Sequence, residues 1–209
     1  MVAASAPYIA PAKTTDHGTP AEIWECVKRT YTVDEVHLDP AASMVHDMVK
    51  ARTKYHGPHV DVDGASQLWE GLVYVNPPYG REIPRFTQAA IRSMEGGAAE
   101  AIIQLLPLRG ASWFLDDVLD TASAICYVRG RLVFLGSIDP YPVDSIVVLW
   151  GDSYISPFIE SFERYIPTSQ VLRAESAKSA AKAGRTQRLT RWVDLNRPIG
   201  KCVNLSRLR

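Results

Sequence analysis

A chain of 209 residues, 46% of them apolar, can bury one sizeable core, so one domain with a tail is the natural division. Its 23 Lys and Arg balance 23 Asp and Glu, and overall charge therefore points to no polyanionic partner. The three cysteines (Cys26, Cys126, Cys202) and five histidines show no metal-ligand spacing. The thiols read as reduced cysteines of a cytosolic, cytoplasmic protein. No run is long and apolar enough to span a membrane, and the Ala- and Pro-rich Met1 to Lys13 makes no convincing signal peptide.

Residues 1–16 read as a loose arm. In Thr19-Pro20-Ala21-Glu22, Thr19 suits an N-cap, Pro20 the first helical position and Glu22 a capping box, which predicts a helix to about Tyr31. Val36 to Asp39 reads as a short strand ending in a turn at Pro40. Met44 to Tyr55 is a helix candidate with charges interspersed. His56-Gly57-Pro58 is a turn, and Asp61-Val62-Asp63-Gly64 a loop. Leu72-Val73-Tyr74-Val75 is a buried strand that stops on Asn76-Pro77-Pro78-Tyr79.

Pro84 opens a helix to about Met94, with Gly96-Gly97 as its stop. Ala101 to Pro107 is a second buried strand. Gly110 to Asp120 reads as a helix whose apolar face is Trp113, Phe114, Val118 and Leu119. Ile125 to Val128 and Arg131 to Phe134 read as a hairpin about Arg129-Gly130. Ser145 to Trp150 is the last buried strand, and residues 153–167 an edge helix or irregular packing. Strands alternating with helices, then an antiparallel pair, predict an α/β sheet with an antiparallel edge. From Val171 onward ten Lys and Arg face only Glu175 and Asp194, with Glu175 to Ala183 a helix candidate. Arg185, Arg188 and Arg191 recur every third residue. Such a segment is either a solvated tail or an arm touching nucleic-acid phosphates. The expected division is thus a flexible arm (1–16), a domain (17–170) and a basic tail (171–209).

The stretch with the most chemical content is Asn76-Pro77-Pro78-Tyr79. Each proline pushes its predecessor into extended geometry, so an amide, a carbonyl and a ring are held stiffly at the carboxyl end of a strand. Ligands sit there in open α/β sheets. An exocyclic base amine is a poor nucleophile because its lone pair is delocalised into the ring. The Asn76 side-chain oxygen and the Pro77 carbonyl are two acceptors for its two N–H groups, and accepting both draws the nitrogen toward a tetrahedral, nucleophilic shape. Tyr79 is placed to stack on the base, a contact worth about 1–3 kcal/mol. A methyl donor such as S-adenosylmethionine would have to lie in line with that nitrogen. The plainer reading is a rigid turn.

Asn76-Pro77-Pro78-Tyr79 resembles the [DNS]PP[YFW] motif of amino-methyltransferases. The order of pieces is similar to the phage-type DNA N-6-adenine-methyltransferases, the Dam-like family of bacteriophages and prophages. Those pieces are Thr19-Pro20-Ala21-Glu22-Ile23-Trp24, Leu38-Asp39-Pro40-Ala41-Ala42-Ser43 and Asp63-Gly64 through Trp69-Glu70-Gly71 into Val75 to Gly80. Later pieces are Leu105-Leu106-Pro107, Trp113-Phe114, Val128 to Phe134 and Pro142 to Gly151. The resemblance implies a Rossmann-like S-adenosylmethionine-dependent methyltransferase sheet and methyl transfer to adenine N6 in DNA. Asn76, Pro77, Pro78 and Tyr79 would form the catalytic loop. Thr19, Pro20, Asp39, Pro40, Ala41 and Asp63 would line the cofactor pocket, Asp39 on the methionine ammonium and Asp63 on the adenine amine. Both aspartates also suit ordinary turns. Arg129 and Arg131 would face phosphates or pair within the hairpin.

Ala42-Ser43 stands where many methyltransferases carry glycines. Two rival readings stay open: a related enzyme acting on RNA or protein glutamine, and a non-catalytic nucleic-acid-binding protein. A chain this short leaves little room for a separate target-recognition domain. That predicts loose sequence preference, or help from the tail or a second subunit.

Overall fold

Strands apolar at nearly every position must be covered on both faces, which places Leu72–Val75, Ala101–Pro107 and Ser145–Trp150 in the middle of a sheet. The computed structural model of the chain describes residues 17–110, 112–128, 130–165 and 170–173. In chain order its elements are α1 (Ala21–Tyr31), β1 (Val36–Asp39), β2 (Ala51–Lys54), β3 (Gly71–Val75), α2 (Ile83–Glu95) and β4 (Ala99–Pro107). There follow α3 (Leu119–Thr121), β5 (Ala124–Val128), β6 (Ser145–Trp150), α4 (Ile155–Tyr165) and β7 (Gln170–Arg173).

One seven-stranded sheet has the order β2-β1-β3-β4-β6-β5-β7. The first four strands are parallel to one another. The strand β6 runs against both β4 and β5, and β7 runs against β5. The three strands expected at its centre are there, and the architecture is mixed α/β with an antiparallel side. Every residue of β6 is buried, as is β4 apart from Glu100.

The helix α1 buries Ile23, Trp24, Cys26, Val27, Thr30 and Tyr31, the spacing of one helical face. It packs on α4, where the Cys26 thiol donates to the Ser161 carbonyl. The helix α2 packs on β4 and on the 3₁₀ turn Gly64–Ser66, joined by the Trp69–Phe86 ring contact. Between them these helix groups supply the cover that the buried strands require.

Four expectations change. Pro20, not Thr19, is the N-cap of α1, and no side chain caps it; the Thr19 hydroxyl is engaged elsewhere. Met44 to Tyr55 is not a helix. Met44 and Val45 are exposed and only Val49 is fully buried, so it lacks a helical apolar face, and Ala51–Lys54 instead extends the parallel ladder beside β1. Arg131 to Phe134 is not a strand: β5 pairs with β6, Val128 opposite Ser145, across the whole connection. Leu132 and Phe134 turn inward from that connection and are buried. The helix expected at Gly110 to Asp120 forms over residues 112–121, but its middle, Phe114–Val118, is wound as a π-helix, and of its expected apolar face only Val118 is fully buried.

The strand β7 joins Val171 to Arg173, the first residues of the expected tail, to the sheet. The helix candidate at Glu175 to Ala183 lies outside the described residues. Of the three cysteines, Cys26 and Cys126 are buried and in no disulfide.

Candidate active site

The chain leaves β1 for β2 on one side, while β3 passes through α2 to β4 on the other. The strand order therefore reverses between β1 and β3, and in open α/β sheets such a switch point is where ligands bind, at the carboxyl ends of the strands. Asp39-Pro40-Ala41 leaves β1 at that point, and Asn76-Pro77-Pro78-Tyr79 leaves β3 beside it.

The Tyr74 ring lies 5.9 Å from Trp24 of α1, edge-on. Side chains alternate along a strand, so Asn76, two residues on, projects to the same side. There it meets the segment that leads into α1. The Asn76 Nδ2 donates to the His17 carbonyl at 2.5 Å and lies 3.5 Å from Thr19 Oγ1. The Thr19 hydroxyl is in turn 3.1 Å from the Tyr74 hydroxyl. The other amide atom, Asn76 Oδ1, is buried and has no hydrogen-bond partner among the described residues. A buried acceptor left unmade costs roughly 1–3 kcal/mol.

Asp39 is buried, and its Oδ1 accepts from the Ala41 N–H at 3.1 Å. Burial pushes its carboxyl up to about 7, against the Ala41 N–H and the charges of Lys54 and His56, which favour ionisation. Asp63 caps the 3₁₀ turn: Oδ1 accepts from the Ala65 N–H at 3.2 Å, and Oδ2 pairs with Arg85 at 2.5 Å. The turn reading of Asp63 is therefore realised, whatever else its oxygens accept. A Cβ on Gly64 would lie 1.9 Å from the Pro40 carbonyl oxygen, so the Asp39 and Asp63 loops are in contact through a glycine. The expected cofactor residues Asp39, Pro40, Ala41 and Asp63 thus share one end of the sheet. Thr19 and Pro20 lie at the same end, where Thr19 Oγ1 meets Asn76.

Tyr79 is buried within a group of rings that the sequence did not announce. His17 lies 5.4 Å from it, Phe134 5.6 Å and Tyr141 5.2 Å, centroid to centroid. Phe134 and Tyr141 come from the β5–β6 connection, which is tied down where the Leu135 N–H donates to the Gly18 carbonyl at 2.9 Å. Phe134 falls within the resembling segment Val128 to Phe134, but its burial beside Tyr79 depends on the path of the connection; Tyr141 carries no local signal.

Arg131 is exposed on this connection and forms no ion pair with a described residue. Arg129, Arg185, Arg188 and Arg191 lie outside the described residues. Among the described residues no group of His, Cys, Asp and Glu is placed to hold a metal ion, and no helix is long and apolar enough to cross a membrane. A groove of about 550 Å³ between α1 and α4 is lined by none of the expected site residues.

This is an α/β protein whose strand order switches between β1 and β3, with a proline-stiffened Asn-Pro-Pro-Tyr loop at the carboxyl end of β3. The family model for DNA N-6-adenine-methyltransferase (Dam) matches residues 11–147, and the chain belongs to that family of methyltransferases. No curated protein matches it. Among solved structures it is similar to protein LPL1258 from Legionella pneumophila, of the family DUF519, at 15% identity and a TM-score of 0.36. That match covers 61% of this chain and 52% of the other, so the chain spans about half the length of that protein.

Proposed function

We propose that the protein is an S-adenosylmethionine-dependent methyltransferase acting on the exocyclic amine of adenine in DNA. The observation that carries this reading is the buried, unpartnered Asn76 Oδ1 at the carboxyl end of β3. Its amide nitrogen is already engaged, so the side chain has only acceptor capacity to offer, and an amine is the donor it suits. The Pro77 carbonyl next in the chain supplies the second acceptor for the same nitrogen. Together they hold both N–H groups and turn the amine lone pair outward.

The sheet suits a Rossmann-like methyltransferase, with parallel strands flanking the switch point and an antiparallel strand inserted beyond β4. The residues present also fit the cofactor. Asp39 is a buried carboxyl with no cation among the described residues in hydrogen-bond contact, a site made more favourable by a ligand ammonium. S-adenosylmethionine, when bound, supplies an electrophilic methyl group on a sulfonium. Asp39 would hold the methionine end, and Asp63 beyond Gly64 the adenine end. Tyr79 supports the base from within its ring group, and an adenine entering there must first leave the duplex, at a cost of a few kcal/mol. Arg131 and the basic residues after Val171 would meet phosphates.

Mass analysis of nucleosides after incubating duplex DNA with S-adenosylmethionine tests the reading by looking for N6-methyladenine. Parallel RNA and protein acceptors separate the rival substrates. Calorimetry with the cofactor separates a non-catalytic nucleic-acid binder, which would give no heat. The Asn76→Ala variant is expected to lose transfer by at least about a hundredfold, within the range for loss of one placed donor or acceptor at a reacting centre, with cofactor affinity retained. Turnover surviving in that variant would remove Asn76 from the reaction.

A further inference from the structure

An Asn amide is nearly symmetric in shape, and a half-turn exchanges its oxygen for its NH₂. An amine substrate meets an acceptor in one orientation and a competing donor in the other, so something must fix the choice. We propose that the segment His17 to Thr19 sets this orientation, with the His17 carbonyl as the selecting atom and Thr19 as a positioning residue. This rests on the amine-methylating reading and deepens it.

The carbonyl of His17 can only accept. With Nδ2 at 2.5 Å it receives a hydrogen bond; a turned amide would set two oxygens against each other at that distance. The second Nδ2 hydrogen faces Thr19 Oγ1 at 3.5 Å, a weaker contact. The Thr19 hydroxyl has two acceptor sites and one hydrogen, enough to accept from Asn76 while bonding Tyr74 at 3.1 Å. The segment is held from several sides. Tyr74 is fully buried, and the Gly18 carbonyl accepts from the Leu135 N–H. A Cβ on Gly18 would fall 2.6 Å from His46 Cγ, so the His46 ring presses the segment from outside. Only Oδ1 is left to accept.

The selecting carbonyl also separates Asn from Asp at position 76. A carboxylate there would oppose the His17 carbonyl, although it is the stronger acceptor for an amine. A protonated carboxyl regains a donor for His17 and keeps an acceptor for the substrate.

Three measurements test this. In Thr19→Val, kcat should fall about three- to tenfold, the equivalent of one net hydrogen bond. The KM for S-adenosylmethionine should stay within about twofold, and Thr19→Ser should restore kcat. For Asn76→Asp, activity relative to the unaltered protein should be lost at pH 8 and rise toward pH 6. The ionisable groups around this site, His17, Asp39, Tyr74, Tyr79 and Tyr141, are common to both proteins, so their effects divide out of that ratio. In the resting protein, the Asn76 side-chain NH₂ should exchange slowly with solvent, and faster in Thr19→Val.

Unchanged kcat in Thr19→Val, a loss confined to cofactor KM, or full activity of Asn76→Asp at pH 8 overturns the inference. The exchange measurement needs no turnover. A protein that shows a protected NH₂ yet methylates no acceptor would sink the functional reading and leave the orientation standing.

Discussion

Asp39 is the residue whose protonation the fold disturbs most consequentially. Burial raises its carboxyl to about 7 from an ordinary 3.8. A raised carboxyl favours the folded state where it is protonated. That contribution is full below pH 4 and is lost as pH rises through about 7. Asp39→Asn removes the charge and keeps an oxygen for the Ala41 N–H. The variant is expected to match the unaltered protein near pH 4 and to exceed it at pH 8, by up to about 4 kcal/mol on the size of the shift. Urea midpoints across that range check this, and a flat difference would show that Asp39 stays ionised. The same variant should bind S-adenosylmethionine more weakly if the carboxylate holds the ammonium. At this scale the placement of Asn76 and Asp39 at strand ends was legible in the sequence, because strand ends and prolines are local signals. It was silent on His17, whose part is played by its backbone carbonyl and by a ring that meets Tyr79 only through the fold.

Between elements, the contact that brings the two expected cofactor loops together is Gly64 on Pro40. The Cβ of an alanine there would overlap the Pro40 carbonyl oxygen, and neither backbone can yield without moving its strand. Gly64→Ala is therefore expected to destabilise the protein by about 1–3 kcal/mol, as overpacked sites do, and to weaken cofactor binding. Gly110, where an added Cβ meets nothing within 4 Å, is the control, and its alanine variant should unfold with the parent. Thermal melts with and without cofactor read both effects. The helices α1 and α2 and the strands β3, β4 and β6 were legible because each buries a regular apolar pattern. The strand β2 was not, since Ala51-Arg52-Thr53-Lys54 is an edge of mostly polar residues whose pairing with β1 is non-local. Buried Leu132 and Phe134 alternate with exposed Arg131 and Val133 as they would in a strand, yet Phe134 packs on the rings around Tyr79 and the segment joins no ladder.

For the whole molecule the open matter is how charge is divided. The sequence balances overall, yet its basic excess lies beyond Val171, and among the described residues the first of that stretch, through Arg173 in β7, belong to the sheet. Two truncations separate the roles. A chain ending at Arg173 keeps every described strand, so it should melt with the full protein and bind S-adenosylmethionine equally well. If the removed cations meet phosphates, its DNA affinity should fall, and the salt dependence should flatten by roughly one unit of slope for each phosphate no longer neutralised. A chain ending at Tyr165 also lacks β7 and leaves the β5 edge, Ala124–Val128, unpaired. An apolar edge strand of that kind invites association, so this shorter chain should lose stability and aggregate. Equal DNA binding by the full chain and the chain ending at Arg173, across salt, would make the basic segment a solvated tail and leave target capture to the switch point and Arg131.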